Sequence, residues 1–302
     1  MYSNFLTAVL KAVWKNKILI KRQGVSELKS KKKKKLIIIF IVLLFILIAC
    51  DMRLKTVVYT IESDKVSQTV KLALITDLHS DKYGKGQKTL LDAVDEEEPD
   101  VVLLGGDIFD DEKSYDNAET TIKYLAEKYP CYYVTGNHEY WSEDIENILD
   151  IVRSYGVRVL SGACETLEIN GEMINVCGVD DPAVLKYTKH GKGIEAQMKE
   201  ALKGADTEYY TILLSHRPEL IDTYKEYDFD LVLSGHAHGG QWRIPGIING
   251  IYVPNQGLFP EYAGGRYDYD TGTMIISRGL ARESTLVPRI FNRPELVIVK
   301  VK

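Results

Sequence analysis

From residue 56 onward, short apolar runs alternate with stretches of helical periodicity. Val70–Ile75, Val101–Leu104, Tyr132–Val134, Tyr210–Leu214 and Leu231–Leu233 are apolar runs, interrupted only by Lys71 and Thr211 and bounded by polar or glycine-containing segments, the pattern of buried strands. Between them, Gln87–Glu97 predicts a helix stopped at Pro99, and Asn117–Tyr129 a helix ended by Pro130. Ser142–Tyr155 predicts a helix with Ser142 as its cap, and Glu195–Leu202 a further one. Val157–Leu160, Thr166–Ile169 and Met173–Val176 predict short strands, with Asn170-Gly171 as a hairpin turn. Thr56–Ile61, Thr273–Ser277 and Leu296–Val301 add strands at the two ends of this region. No internal repeat occurs, and the alternation predicts one α/β domain with a mixed, two-sheet core over residues 51–302.

The first fifty residues break this pattern. Leu36–Cys50 runs fifteen residues without a charge, directly behind Lys31–Lys35. As a helix it would reach about 22 Å, short of the ~30 Å hydrocarbon thickness, a gap that lysine snorkelling and local thinning would have to close. The expected reading is a basic cytoplasmic leader at 1–35 and a transmembrane anchor or signal segment at 36–50. Two other readings stay open: a cleaved signal peptide, or a lipoprotein site at Leu47-Ile48-Ala49-Cys50 that would leave Cys50 acylated. Lysines are retained in the cytoplasm, which would put the C-terminal part outside it. Phe5, Leu6, Val9, Leu10, Val13 and Trp14 fall near one helical face of residues 5–22, as in a basic helix lying on an anionic leaflet or a solvated arm.

Charge separates the same two parts. Residues 1–50 hold eleven Lys or Arg against one acid, whereas the remainder holds 27 bases and 42 acids. An acidic domain excludes nonspecific nucleic-acid binding, which needs a basic surface, so no nucleic-acid partner is expected. The overall 45% hydrophobic and 27% charged composition excludes a disordered chain and a multi-span membrane protein. Four cysteines without a C-x-x-C pair argue against a zinc knuckle or redox motif. Cys131 and Cys177, in apolar strand-like runs, are expected to be buried free thiols.

Five of the six histidines fall in polar clusters just behind apolar strands. Asp77-Leu78-His79 follows the first run. Gly106-Asp107-Ile108-Phe109-Asp110, Gly136-Asn137-His138-Glu139, His216 and Gly235-His236-Ala237-His238 follow the other four. In an α/β sheet, carboxyl ends of strands share an edge where ligands bind. Carboxylate, imidazole and amide donors suit hard or borderline divalent metals such as Mn, Fe or Zn. The donor count exceeds one tetrahedral site, which points to two ions, and cations would offset the cost of burying so many polar groups. His190 fits no cluster and is expected in a solvated loop. Ser80 and Ser215 abut these residues without a visible base and are expected to be plain strand-end residues.

The blocks D-x-H, G-D-x-x-D, G-N-H-E, a lone His and G-H-x-H, in order from Asp77 to His238, resemble the calcineurin-like metallophosphoesterase superfamily. With the leader and the tail Gly239-Gly240-Gln241, Ser277-Arg278-Gly279 and Asn292-Arg293-Pro294-Glu295, the chain resembles the bacterial YkuE/YaeI-type branch, which includes membrane-associated enzymes. The resemblance implies a four-layer α/β/β/α sandwich. It assigns Asp77, His79, Asp107 and His238 to a first metal and Asp107, Asn137, His216 and His236 to a second, with Asp107 bridging. It makes His138 the residue facing the scissile phosphate, as general acid or charge stabiliser, and Asp110 the group that orients His138. It further implies in-line attack by a hydroxide held between two ions ~3.5–4 Å apart. Protein phosphatases of the superfamily carry Arg-Gly after the second block; here Asp111-Glu112 follows, which makes a phosphoprotein substrate less expected.

Tyr140, Trp141, Trp242, Tyr252, Phe259 and Tyr262 flank the blocks, as an apolar wall for an acyl chain, sugar or base, or as packing. The resulting expectation is a membrane-anchored hydrolase of a phosphodiester or pyrophosphate, in a lipid-linked molecule such as a UDP-diacylglucosamine-like glycolipid. A phosphomonoesterase or nucleotide phosphodiesterase is the alternative. An inactive membrane-tethered binding protein would be expected to have lost ligands, and every block is intact. Arg217, beside His216, is expected either to touch phosphate or to form a surface salt bridge.

Overall fold

The computed structural model describes residues 14–15, 32–282 and 288–302. The chain divides into two compact units, Met1–Ala49 and Cys50–Lys302. In the first, residues 32–49 form one helix whose apolar side chains from Leu36 to Ile48 are exposed. Lysines 32–35 open it, so fourteen uncharged residues remain, about 21 Å of rise. No helix among the described residues is long and apolar enough to cross a membrane, and the anchor expected at 36–50 finds no support in helix length. Apart from Trp14 and Lys15, the amphipathic segment expected over 5–22 lies outside the described residues.

The second unit holds two six-stranded sheets. The first contains β1 (Lys55–Ile61), β2 (Val70–Ile75), β3 (Val101–Gly105), β4 (Cys131–Val134), β5 (Arg158–Val159) and β14 (Glu295–Val301). Their order is β1-β14-β2-β3-β4-β5, with β2 to β5 mutually parallel. The second contains β6 (Ala163–Ile169), β7 (Glu172–Gly178), β8 (Tyr210–Leu214), β9 (Leu231–Ser234), β12 (Gly265–Tyr269) and β13 (Gly272–Ile276). Its order is β12-β13-β9-β8-β7-β6, with β7, β8, β9 and β13 parallel and antiparallel strands at both edges. β10 (Tyr252–Val253) and β11 (Gly257–Leu258) form a separate antiparallel pair.

Alternation along β2 shows how the layers assemble. Val70, Leu72 and Leu74 pack between the sheets with Leu103, Ile212 and Leu233. Ala73 and Ile75 face outward, against Leu90 and Val94 of α1 (Lys88–Glu97) and Ile122 of α2 (Asp116–Lys128). The far face of the second sheet, through Leu213, Val232 and Met274, packs on Met198 and Ile221. Helices therefore cover both outer faces of a mixed α/β sandwich. Strands buried on both faces need apolar residues on both, which is why these runs read as near-continuous rather than alternating, with Lys71 and Thr211 near the strand starts.

Three local features differ from expectation. Ser142 does not open a helix. It ends the short helix α3 (Asn137–Trp141), Glu143 takes a left-handed φ of 57°, and α4 (Ile145–Ser154) starts behind Asp144. Cys177 is not a free thiol: it is disulfide-bonded to Cys164, its direct cross-strand partner in the β6–β7 hairpin. The register comes from the Asn170-Gly171 turn, where both residues have positive φ: counting back from it pairs 169 with 172 and hence 164 with 177, a signal that the apolar setting of Cys177 alone does not carry. Cys131 is free and buried, and β10, β11 and β12 arise in a glycine- and tyrosine-rich region that reads as loop.

Candidate metal centre

The carboxyl ends of β2, β3 and β4 in one sheet meet those of β8 and β9 in the other. Asp77 and His79 follow β2, Asp107 and Asp110 follow β3, and Asn137 and His138 open α3 behind β4. His216 follows β8, and His236 and His238 follow β9. The chain bends sharply at each end. Asp77, His79, Asp107, His236 and His238 all sit at φ between 46° and 63°, a region disfavoured for side chains with a Cβ and held where surrounding contacts over-determine it. The glycines of the blocks permit close approach. A Cβ on Gly136 would come within 2.5 Å of the Asp107 nitrogen, and one on Gly235 within 2.5 Å of Asp77 Oδ2.

The ligating atoms of Asp77, His79, Asp107 and His238 lie within 4.8 Å of one another, as do those of Asp107, His216 and His236. Asp107 is common to both groups. Its Oδ2 is 3.0 Å from His216 Nε2 and 3.7 Å from His79 Nε2, while His238 Nε2 is 3.3 Å from Asp77 Oδ1. Asp77 Oδ2 and Asn137 Oδ1 are buried without a hydrogen-bond partner among the described residues. Buried, unsatisfied oxygens beside converging imidazoles are costly unless something electropositive meets them. This nitrogen and oxygen donor set fits divalent Mn, Fe or Zn.

A second ring of contacts fixes these groups. His216 Nδ1 is 2.8 Å from the Gly105 carbonyl oxygen, so it donates there and leaves Nε2 to face Asp107. His79 Nδ1 is 3.2 Å from Asp110 Oδ2. His138 Nδ1 is 2.6 Å from Asp111 Oδ1, and its backbone N–H donates to Asp107 Oδ1 at 2.9 Å. Asp110 was expected to orient His138; the ligating atoms of His79, Asp110 and His138 do lie within 4.8 Å of one another, but the hydrogen bonds divide differently. Asp110 faces His79, and the next carboxylate along the chain takes His138. The His138 ring also stands edge-on to His79, with centroids 4.3 Å apart.

Two positioning residues escaped the sequence reading. Glu139, fully buried, accepts backbone hydrogen bonds from Asp107, Ile108, Phe109 and Gly136, tying the loop after β3 to the loop after β4. Its place in the third block marks it, although only the fold reveals what it holds. Asp181 follows β7 and pairs with Arg217. Since β7 is parallel to β8, its carboxyl end reaches the same edge, a signal the strand pattern contains. Arg217 is buried, so the expected surface salt bridge is instead an internal one.

Charge in the site is mutually compensated. Burial alone would raise the Asp107 carboxyl, yet His216, His138 and His79 hold it well below the usual range. Burial is likewise overridden at Asp77, which His238 and His216 keep low. Burial opposes protonation of His216, but Asp107 and Asp77 push it up to about 10. His236 moves the other way: burial and the adjacent Arg217 hold it well below its ordinary value and keep it neutral.

The centre opens into a cavity of about 520 Å³ lined in part by His138, Trp141, Arg217, Gln241 and Tyr252. Trp141 and Tyr252 are exposed at its mouth, and Trp242, Leu258 and Phe259 are also exposed. His190 lies outside it and is exposed, in a loop.

Comparison with known proteins places this geometry in a family. Residues 70–240 match the calcineurin-like phosphoesterase family model. An uncharacterized metallophosphoesterase of Aquifex aeolicus is 32% identical over 253 residues, covering 81% of this chain and 90% of that one. The uncharacterized metallophosphoesterase YkuE of Bacillus subtilis is 25% identical, over 82% of this chain and 86% of its own length. A Bos taurus "transmembrane protein with metallophosphoesterase domain" is 31% identical over 70% of this chain, which spans only 49% of it. A 5'-nucleotidase precursor from Thermus thermophilus, 15% identical, superposes with a TM-score of 0.47 over 71% of this chain and 50% of its own. With the family model covering more than half its length, this chain belongs to the calcineurin-like phosphoesterases and is a metal-dependent phosphoester hydrolase.

Proposed function

We propose that the chain hydrolyses a phosphodiester or pyrophosphate in a lipid-linked substrate, such as a UDP-diacylglucosamine-like glycolipid, using two divalent cations. The observation that carries the reading is the double membership of Asp107 in two ligand groups beside a cavity with aromatic residues at its mouth. Asp77, His79, Asp107 and His238 would hold one ion, and Asp107, Asn137, His216 and His236 the other. When bound, such a pair lowers the pKa of a water and polarises the phosphoryl oxygens. His138 serves the leaving oxygen. With Nδ1 engaged by Asp111, Nε2 is the nitrogen left to exchange a proton, a role typically worth ~10²–10⁴ in rate. Asp110 holds His79 in place for the first ion.

The lipid-linked part of the proposal rests on Trp141 and Tyr252 at the cavity mouth and on the leader. We assign the leader to the membrane, with its lysines in the cytoplasm and the catalytic unit outside. The Cys164–Cys177 bond suits an oxidising compartment, and the bovine relative is named a transmembrane protein. The test is turnover by the full chain, loaded with Mn, Fe or Zn, on a lipid pyrophosphate, an aryl phosphodiester and an aryl monoester. Preference for the first two supports the proposal. Preference for the monoester moves it to a phosphomonoesterase, and no turnover with any metal overturns it. Membrane fractionation and protease accessibility of the full chain test the topology; a protected catalytic unit reverses it.

A further inference from the structure

We propose that Arg217 is the phosphate clamp of this site, presented by Asp181; the inference rests on the functional reading above. Arg217 is 9% exposed and lies against the cavity. Its Nε donates to Asp181 Oδ2 and its Nη2 donates to Asp181 Oδ1 at 3.1 Å, so two of the three guanidinium nitrogens, along one edge, are committed to one buried carboxylate. The backbone is fixed as well, because the Arg217 carbonyl accepts the Tyr224 hydroxyl at 2.6 Å. The remaining nitrogen, Nη1, reaches His236 Nε2 at 2.9 Å, with Glu219 Oε1 beyond hydrogen-bond range at 3.6 Å.

A guanidinium only donates, so His236 Nε2 must be the acceptor and carry a lone pair. Neutral imidazole has a single lone-pair nitrogen. If His236 ligates a cation through Nε2, that lone pair is spent. If it ligates through Nδ1, Nε2 carries the hydrogen. Either way Nη1 loses its acceptor on the cavity side while Asp181 still holds the other two nitrogens. A phosphoryl oxygen of substrate supplies the missing acceptor, through a charge-assisted hydrogen bond aimed by a prearranged arginine. No chemical step is added; Arg217 binds and orients.

The experiment uses the full chain loaded with Mn and inorganic phosphate as the probe. Phosphate affinity by calorimetry and metal content by elemental analysis are measured for wild type, R217Q, R217K and D181N. We expect R217Q to keep its metal and to bind phosphate roughly 10- to 100-fold more weakly. R217K should fall between, since a single ammonium cannot hold Asp181 and reach the ligand in the same geometry. D181N should weaken phosphate binding with KM rising more than kcat falls. Unchanged phosphate affinity in R217Q at equal metal content overturns the proposal and means that Nη1 turns to Glu219 instead. Metal loss in both R217Q and R217K also overturns it, since Arg217 would then serve the ligands. A wild type that binds phosphate but hydrolyses no ester sinks the functional reading while leaving the arginine assignment tested.

Discussion

Glu139 reaches across from α3 to accept the backbone N–H of Asp107 at 3.0 Å, and the same oxygen accepts Gly136 N–H at 2.7 Å. One carboxylate thus fixes the spacing between the second and third blocks. Glu139→Gln puts an amide N–H₂ where an acceptor is needed and strands two buried donors, each costing ~1–3 kcal/mol. We expect a lower denaturant midpoint and metal affinity reduced by roughly 10- to 100-fold, read by unfolding curves and metal titration. A variant as stable as wild type with unchanged metal retention would remove Glu139 from this role.

Asp110 and Asp111 are adjacent in sequence yet hold different histidines, which makes them separable. Asp110→Asn acts through His79 and should weaken metal binding by roughly 10- to 100-fold. Asp111→Asn acts through His138 and should leave metal content alone while lowering kcat roughly tenfold, part of the ~10²–10⁴ expected for an acid at that position. Parallel elemental analysis and turnover distinguish them. An exchange of the two phenotypes would restore the pairing expected from family resemblance.

Asp180 is buried beside Ser161 and Thr135, and burial raises its carboxyl above the usual carboxylate range despite both hydroxyls. The sign follows from linkage. The folded state binds this proton more tightly than the unfolded one, so the contribution is present below the unfolded value and is lost as pH rises through the folded value. Asp180→Asn, neutral at every pH, should remove that loss and flatten stability against pH above 4, measured by chemical denaturation across the range. A profile that stays as steep as wild type assigns the slope to other groups.

The Cys164–Cys177 bond joins paired positions on an edge hairpin, at a sequence separation of 13. Loops of that size are stabilised by about 3 kcal/mol in the chain-entropy model. The double serine variant should lose roughly that amount in denaturation while its kcat and metal content stay unchanged, because the hairpin carries none of the clustered ligand residues. A loss of metal would show that the hairpin supports the centre.

The five polar blocks were legible because each joins a continuous apolar strand to residues of one chemistry. Double burial of β2, β3 and β4 makes the strands conspicuous, and the strand ends do the rest. Contacts set by tertiary approach were not legible. Nothing local tells Asp110 from Asp111 as the partner of His138. Ser142 has a cap's identity, but α3 ends there, and its hydroxyl accepts the Asp144 N–H at 3.1 Å in the turn to α4. Asp181 was overlooked because a carboxylate without a nearby histidine does not resemble the other blocks.

The seam between the sheets passes through the ligand groups. Asp77, His79, Asp107 and Asn137 come from one half of the sandwich, and His216, His236 and His238 from the other. Asp77 Oδ1 already takes the His236 N–H across that seam at 2.9 Å. A cation seated there acts as a rivet between two plates. Its removal would be felt as breathing of the sandwich at this edge, with faster amide exchange at the exits of β8 and β9, while the far ends of the same strands stay clamped by their own packing.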